Sequence, residues 1–170
     1  MKDAVPQEHK AHAPASIGCF VLTISDSKTS ETDTSGALIR ELLSAAGHRI
    51  TGHAIVKDEP AQVAAVIRSG CAAPSVEAFI LTGGTGITSR DSTYEAIEAL
   101  LDKRLAGFGE LFRMLSYQEV GAAAMLSRAQ GGVVLGRVLF SLPGSPNACR
   151  LALEKLIIPE LPHLIREVKR

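Results

Sequence analysis

The run Ile17-Gly-Cys-Phe-Val-Leu-Thr-Ile24 shows no alternation of polar and apolar residues. A strand apolar on both sides must be covered on both sides, which points away from a sheet with one wet face and toward a buried, largely parallel one. The run stops at Ser25-Asp26-Ser27. After a polar segment from Lys28 to Thr34, Asp33-Thr34-Ser35-Gly36 opens an amphipathic helix with Leu38, Ile39, Leu42 and Leu43 inward, and Gly47 ends it. His48 to Val56 reads as a second strand, Lys57-Asp58-Glu59-Pro60 as a polar turn, and Ala61 to Cys71 as a helix started by proline. Ser75 to Leu81 is a third strand. Strands alternating with helices over short loops predict an α/β fold with helices on both faces of the sheet.

Farther on, Ala106 to Leu115 leads into a helix continuing toward Val120. Val133 to Leu135 and Val138 to Leu142 flank Gly136-Arg137 and read as a two-residue hairpin. Pro143-Gly144-Ser145-Pro146-Asn147-Ala148 is a stop-and-cap signal. Leu151, Leu153, Leu156 and Ile157 make a last helix, with Pro159 and Pro162 expected to break what remains. The first sixteen residues hold Pro6, Pro14 and scattered charges without periodicity, and are expected to be a disordered tail before a single domain at 17–170. His9 and His12 have no companion ligand at a zinc-like spacing and read as solvated tail. Eighteen basic residues balance eighteen acidic ones, so no electrostatic footprint for nucleic acid or an anionic membrane is present. Cys19, Cys71 and Cys149 are an odd number at no metal-ligand spacing, and with no leader or membrane span legible, a reduced cytoplasmic protein is expected.

Any anion site must therefore be local, and Ile80-Leu81-Thr82-Gly83-Gly84-Thr85-Gly86-Ile87-Thr88-Ser89-Arg90-Asp91 has the composition for one. A strand end breaks into glycines, whose backbone can turn N–H groups toward a ligand, and Asp91-Ser92-Thr93 then caps a helix carrying Glu95, Ala96, Ile97 and Leu100. The lysine and hydroxyl of a P-loop are not in place after the last glycine, and the pattern is not a dinucleotide fingerprint. Ligands of parallel sheets bind beyond the carboxyl ends of the strands, so Ser25-Asp26-Ser27, Lys57-Asp58-Glu59 and Gly83 to Gly86 are expected along one rim. Two bare like charges about 4 Å apart cost roughly 4 kcal/mol at an effective dielectric near 20, so Asp26, Asp58 and Asp91 around an anion loop imply a cation, and Mg²⁺ is the usual one for phosphate ligands. Each acid also has an ordinary role: Asp26 and Asp33 as caps or turn closers, Asp58 as a helix-start acid, Asp91 as an N-cap. Arg90 is an exposed loop cation or a phosphate contact.

Leu81-Thr82-Gly83-Gly84-Thr85-Gly86 with Asp91 five residues on resembles the signature of the molybdenum cofactor biosynthesis family that includes the MoaB and MogA proteins. Asp33-Thr34-Ser35-Gly36, Gly107-Phe108-Gly109-Glu110 with Arg113-Met114-Leu115-Ser116, and Leu142-Pro143-Gly144-Ser145-Pro146 extend the likeness from about Ile17 to about Leu161, the last two toward the MoaB branch. The resemblance implies a three-layer α/β/α sandwich around a mostly parallel sheet, the C-terminal β-hairpin contributing an antiparallel edge, assembled as a trimer or a hexamer. It implies a pocket for molybdopterin, whose terminal phosphate attacks the α-phosphorus of ATP with Mg²⁺ present, giving adenylylated molybdopterin and pyrophosphate. The family's two functional aspartates map onto Asp58 and Asp91, as catalytic residues and as Mg²⁺ holders, directly or through water. Some MoaB members lack the first acid; here Asp58 is present.

The residues assigned to substrate and nucleotide are Ser25, Asp26, Thr82, Gly83, Gly84, Thr85, Gly86, Arg90, Pro143, Gly144, Ser145, Pro146 and Asn147. Other molybdenum cofactor biosynthesis proteins are the implied partners, with neither nucleic acid nor membrane among them. A non-catalytic carrier that holds the pterin without adenylylating it is the alternative reading. A partner-binding scaffold is a third, for which Phe108, Phe112, Met114 and Leu115 would form an interface stripe, although helical core is the favoured account of them.

Overall fold

A computed structural model describes residues 14–89 and 91–170; Arg90, His9, His12 and most of the expected tail lie outside the described residues. The six strands β1 (Gly18–Ile24), β2 (Arg49–Val56), β3 (Ala78–Gly83), β4 (Lys103–Arg104), β5 (Gln130–Val134) and β6 (Arg137–Leu142) form one sheet in the order β2-β1-β3-β6-β5-β4. The four strands β2, β1, β3 and β6 run parallel, while β5 and β4 add an antiparallel edge. The helices are α1 (Thr34–Ala45), α2 (Pro60–Cys71), α3 (Thr93–Leu100), α4 (Ala106–Val120), α5 (Pro146–Ala152) and α6 (Ile158–Val168).

Pleating sorts the apolar runs into two cores. Cys19 and Val21 of β1, Ala78 and Ile80 of β3, and Val138, Phe140 and Leu142 of β6 face one side, where α1, α4, α5 and α6 supply Ile39, Leu43, Phe112, Cys149 and Leu161. The alternate residues Leu22, Ile24, Phe79, Leu81 and Leu139 face the other side and meet Val63, Ile67 and Cys71 of α2 and Ile97 of α3. This two-sided burial explains the unbroken hydrophobicity of Ile17 to Ile24, and it gives the three-layer α/β/α sandwich.

Three details depart from the reading of the sequence. The hairpin turn is Leu135-Gly136, not Gly136-Arg137: Val134 pairs with Arg137, and Leu135 (φ 46°) and Gly136 (φ 73°) both take left-handed backbone, as a type I′ turn requires. The prolines do not end the last helix. A π-helical turn at Leu153–Ile157 shifts the hydrogen-bond register just before Pro159, which then stands in the first turn of α6, where its missing N–H costs nothing, and the helix continues through Pro162 to Val168. The short β4 and a 3₁₀ segment at Gly121–Leu126 carry no periodic signal and were not foreseen. Among the described residues, no helix is long and apolar enough to cross a membrane.

Asp33 joins three elements beneath the rim. It is 3% exposed; its carboxylate accepts from the Gly36 N–H at 2.9 Å as the cap of α1 and from the Thr23 hydroxyl at 2.7 Å, and it lies 3.1 Å from His53 Nε2. Asp33→Ala removes the cap and strands a buried hydroxyl, so urea unfolding should show a loss of about 2–4 kcal/mol; a change below about 0.5 kcal/mol would deny Asp33 this role. His48, also buried, accepts the Ile17 N–H on Nδ1 at 3.3 Å, and burial lowers its pKa below the ordinary 6.5. The folded state therefore binds fewer protons than the unfolded chain, and the stability tied to His48 is complete above about pH 6.5 and lost as pH falls toward the folded pKa. His48→Gln should flatten that part of the acid limb of a stability-against-pH curve.

Candidate functional site

Parallel register brings the polar loops together. Ile24 pairs with both Val56 and Gly83, and Thr82 pairs with Leu142, so the chain leaves β1, β2, β3 and β6 at one level. Along this rim the order is Lys57-Asp58-Glu59, Ser25-Asp26-Ser27, the glycine loop, then Pro143 to Asn147. The neighbours β1 and β3 lead to opposite faces, β1 to α1 and β3 to α3. Their diverging loops open a crevice at the switch point of the sheet, where parallel α/β proteins bind ligands.

Close backbone contacts shape the glycine loop. Gly83 (φ 93°) crosses β1 so tightly that a Cβ there would lie 2.1 Å from the Ile24 carbonyl oxygen, and Gly84 also has positive φ (65°). No other residue type fits at Gly83. Thr82 is 1% exposed: its hydroxyl donates to the Pro143 carbonyl at 3.1 Å and lies 3.3 Å from Cys149 Sγ, so it ties the two loops from below instead of facing a ligand. The Cys149 thiol is pushed up to about 11, mainly by burial, which makes it packing and not a nucleophile. Ser35 at the start of α1 donates to the Gly144 carbonyl at 2.7 Å. The Ser145 hydroxyl caps α5 by accepting the Ala148 N–H at 3.2 Å, which leaves its O–H free to donate.

The acids occupy different stations. The Ser25 hydroxyl accepts the Lys28 N–H at 3.2 Å and closes its own loop, and Asp26 accepts the Asp58 N–H at 3.1 Å, joining the loops after β1 and β2. Asp58 is partly buried, and its Oδ1 is shielded from solvent with no hydrogen-bond partner among the described residues. Asp91 does not cap α3 by the usual side-chain bond. Its Oδ2 accepts the Thr88 N–H at 2.7 Å, its own N–H donates to the Thr88 carbonyl at 3.0 Å, and its carboxylate packs on Gly86, where a Cβ would come within 2.3 Å. Asp91 thus closes the glycine loop on itself. The ends of β2 and β3 stand two strand spacings apart, about 10 Å, with β1 between them. Among the described residues no group of three or more His, Cys, Asp or Glu stands together as a metal site. An orphaned carboxylate oxygen suits a hard cation, and Mg²⁺, which keeps several of its waters, can serve two separated carboxylates.

Between the glycine loop and α4 lies a cleft of about 270 Å³ that gathers Thr85, Pro143, Ser145 and Asn147 with an apolar floor including Phe112, Ala124 and Leu151. Phe108 and Phe112 are core, whereas Met114 is half-exposed. Arg128 was missed from sequence because nothing around it forms a motif. Its Nε donates to the Thr85 carbonyl at 3.2 Å and its Nη2 to the Gly86 carbonyl, while Nη1 pairs with Glu95 and the guanidinium carbon stands 4.5 Å from the centre of the Tyr94 ring. The Glu95 carboxyl is held below its usual range by its own backbone N–H and by Arg128.

Comparison with known proteins bears on the family and the fold. The family described as "Probable molybdopterin binding domain" matches residues 20–163. A molybdenum cofactor biosynthesis protein B from Halalkalibacterium halodurans is 51% identical over 163 residues, spanning 95% of this chain and 96% of that protein. A crystal structure of a molybdenum cofactor biosynthesis protein B superposes with a TM-score of 0.90 at 51% identity, covering 94% of this chain and 99% of the other. The tungsten cofactor synthesizing protein MoaB from Pyrococcus furiosus gives 0.83 at 38% identity, covering 93% and 100%. Matched nearly end to end in sequence and in fold, the chain belongs to the MoaB/MogA family of molybdenum cofactor biosynthesis proteins, on its MoaB side.

Proposed function

We propose that the protein serves molybdenum cofactor biosynthesis by binding molybdopterin along this rim and transferring the adenylyl group of Mg-ATP to its terminal phosphate. A phosphate oxygen of molybdopterin attacks the α-phosphorus of ATP, the bond to the bridging oxygen breaks, and pyrophosphate leaves. Nucleotidyl transfer asks a protein mainly to align two polyanions and offset their charge. The amides of Gly83 to Gly86 suit one phosphate, and the Thr85 and Ser145 hydroxyls supply further donors at the mouth of the cleft. The cleft's apolar floor and Asn147 suit a pterin, with Pro143, Gly144 and Pro146 setting its edge; Arg90, outside the described residues, is kept as a phosphate contact on its sequence position alone. Asp58 and Asp91 are the residues to hold Mg²⁺, which when bound neutralises charge on the phosphates.

The observation that carries this reading is the Oδ1 of Asp58, buried and without a partner among the described residues, on the same rim as the glycine loop. A protein that only carries the pterin gains nothing from an orphaned carboxylate, which costs about 1–3 kcal/mol to bury. Asp58→Asn should lower pyrophosphate release from ATP and molybdopterin by about 10²–10³-fold while pterin binding persists. Full activity in Asp58→Asn and Asp91→Asn would remove both acids from the reaction. Turnover absent from the unaltered protein, with molybdopterin bound and Mg-ATP not bound in calorimetry, would establish the carrier reading instead.

The same proposal makes the protein a cytoplasmic homo-oligomer, a trimer or a hexamer, in contact with other proteins of the pathway. Leu111, Met114, Tyr117 and Val120 recur at three-residue intervals on α4 and are all exposed, and Met125 beyond them is 80% exposed, which supports burial against another copy. Light scattering should give a mass of three or six chains, and Met114→Glu with Val120→Glu should shift it toward one.

A further inference from the structure

We infer that Arg128 is a positioning residue that aims two successive backbone amides of the glycine loop at an anion. The identity of that anion as a phosphate of the substrates rests on the function proposed above; the aiming rests on geometry alone. In a planar trans peptide the N–H points opposite to the C=O. Arg128 holds the Thr85 carbonyl through Nε at 3.2 Å, so the Gly86 N–H of the same peptide points away from the guanidinium. It holds the Gly86 carbonyl through Nη2, so the Ile87 N–H points away as well. Two neighbouring amides directed to one side form a concave anion nest.

Among the described residues neither amide is spent on the protein. The next one, of Thr88, is: it donates to Asp91 at 2.7 Å, and Asp91 also packs against Gly86, so the loop is held on its other flank. Among the described residues no protein acceptor is found for Gly86 N–H or Ile87 N–H. Arg128 does not present its own charge to a ligand, because Nη1 is committed to Glu95 and the guanidinium lies over Tyr94. It works through the loop. A lysine offers one compact charge and cannot span both carbonyls with fixed geometry.

The test uses inorganic pyrophosphate as the probe, because its binding reads the nest without requiring adenylyl transfer. In the unaltered protein, titration followed by amide NMR should move Gly86 and Ile87 most. Arg128→Ala should bind pyrophosphate about 10–100-fold more weakly, the equivalent of one charge-assisted hydrogen bond. Added guanidinium ion should restore affinity where ammonium does not, and Arg128→Lys should stay weak; a purely structural role would give no such rescue. The inference is overturned if pyrophosphate shifts other amides, if it does not bind the unaltered protein, or if both Arg128 variants bind it unchanged. Binding through Gly86 and Ile87 in a protein that releases no pyrophosphate from ATP would sink the adenylylation reading and leave this one standing. Turnover with unchanged kcat and KM in Arg128→Ala would do the reverse.

Discussion

Gly83 lies against the carbonyl of Ile24 with no room for a methyl group between them. That approach follows from the register in which Ile24 faces both Val56 and Gly83, and it forces β1 and β3 to release their chains side by side. The chain after β1 turns to one face of the sheet and the chain after β3 to the other. A crevice results without any residue being devoted to opening it, and the glycine loop forms its wall. The Thr82 hydroxyl, buried between the loops, carries the constraint onward to Pro143 and so to the cleft beside Ser145.

A chain with no net charge has no long-range pull on a polyanion, so affinity must come from oriented dipoles and a few local charges. The rim is arranged accordingly. Carbonyls of the loop are turned toward Arg128, whose charge is balanced by Glu95, and the Gly86 and Ile87 amides point the other way. Asp91 closes the loop, Asp26 joins the loop after β1 to Asp58 after β2, and on the function proposed above the oxygen of Asp58 that lacks a partner among the described residues is the place for a cation. Asp26 and Asp91 have structural partners on the rim, so the ordinary and the functional readings of these residues are not exclusive.

Much of this was legible in the residues. Unbroken apolar runs told of a sheet covered on both faces because burial on two sides removes the period-two signal, and glycine and proline marked the loops where backbone geometry demands them. The C-terminal helix was misjudged because a proline is read from its own missing N–H, whereas the π-helical turn that accommodates Pro159 is set by packing of Leu153 and Ile157 in the core. The hairpin turn was displaced by one residue because Leu135 takes a left-handed conformation that its side chain does not advertise. Asp58 and Asp91 stood out as acids after strands, but the inward direction of Thr82 and the grip of Arg128 on the loop from more than forty residues away in sequence are tertiary facts. Contacts between distant loops leave no local pattern to read.

The central claim is that a phosphate of the nucleotide or pterin rests on the glycine loop beside Asp91. A crystal structure of the protein with Mg²⁺ and a non-hydrolysable ATP analogue tests it most directly. The account predicts phosphate oxygens about 2.7–3.2 Å from backbone nitrogens between Gly83 and Ile87, with the metal within reach of Asp58 or Asp91 or of their waters. A nucleotide seated elsewhere, with the loop amides facing only solvent, would contradict it.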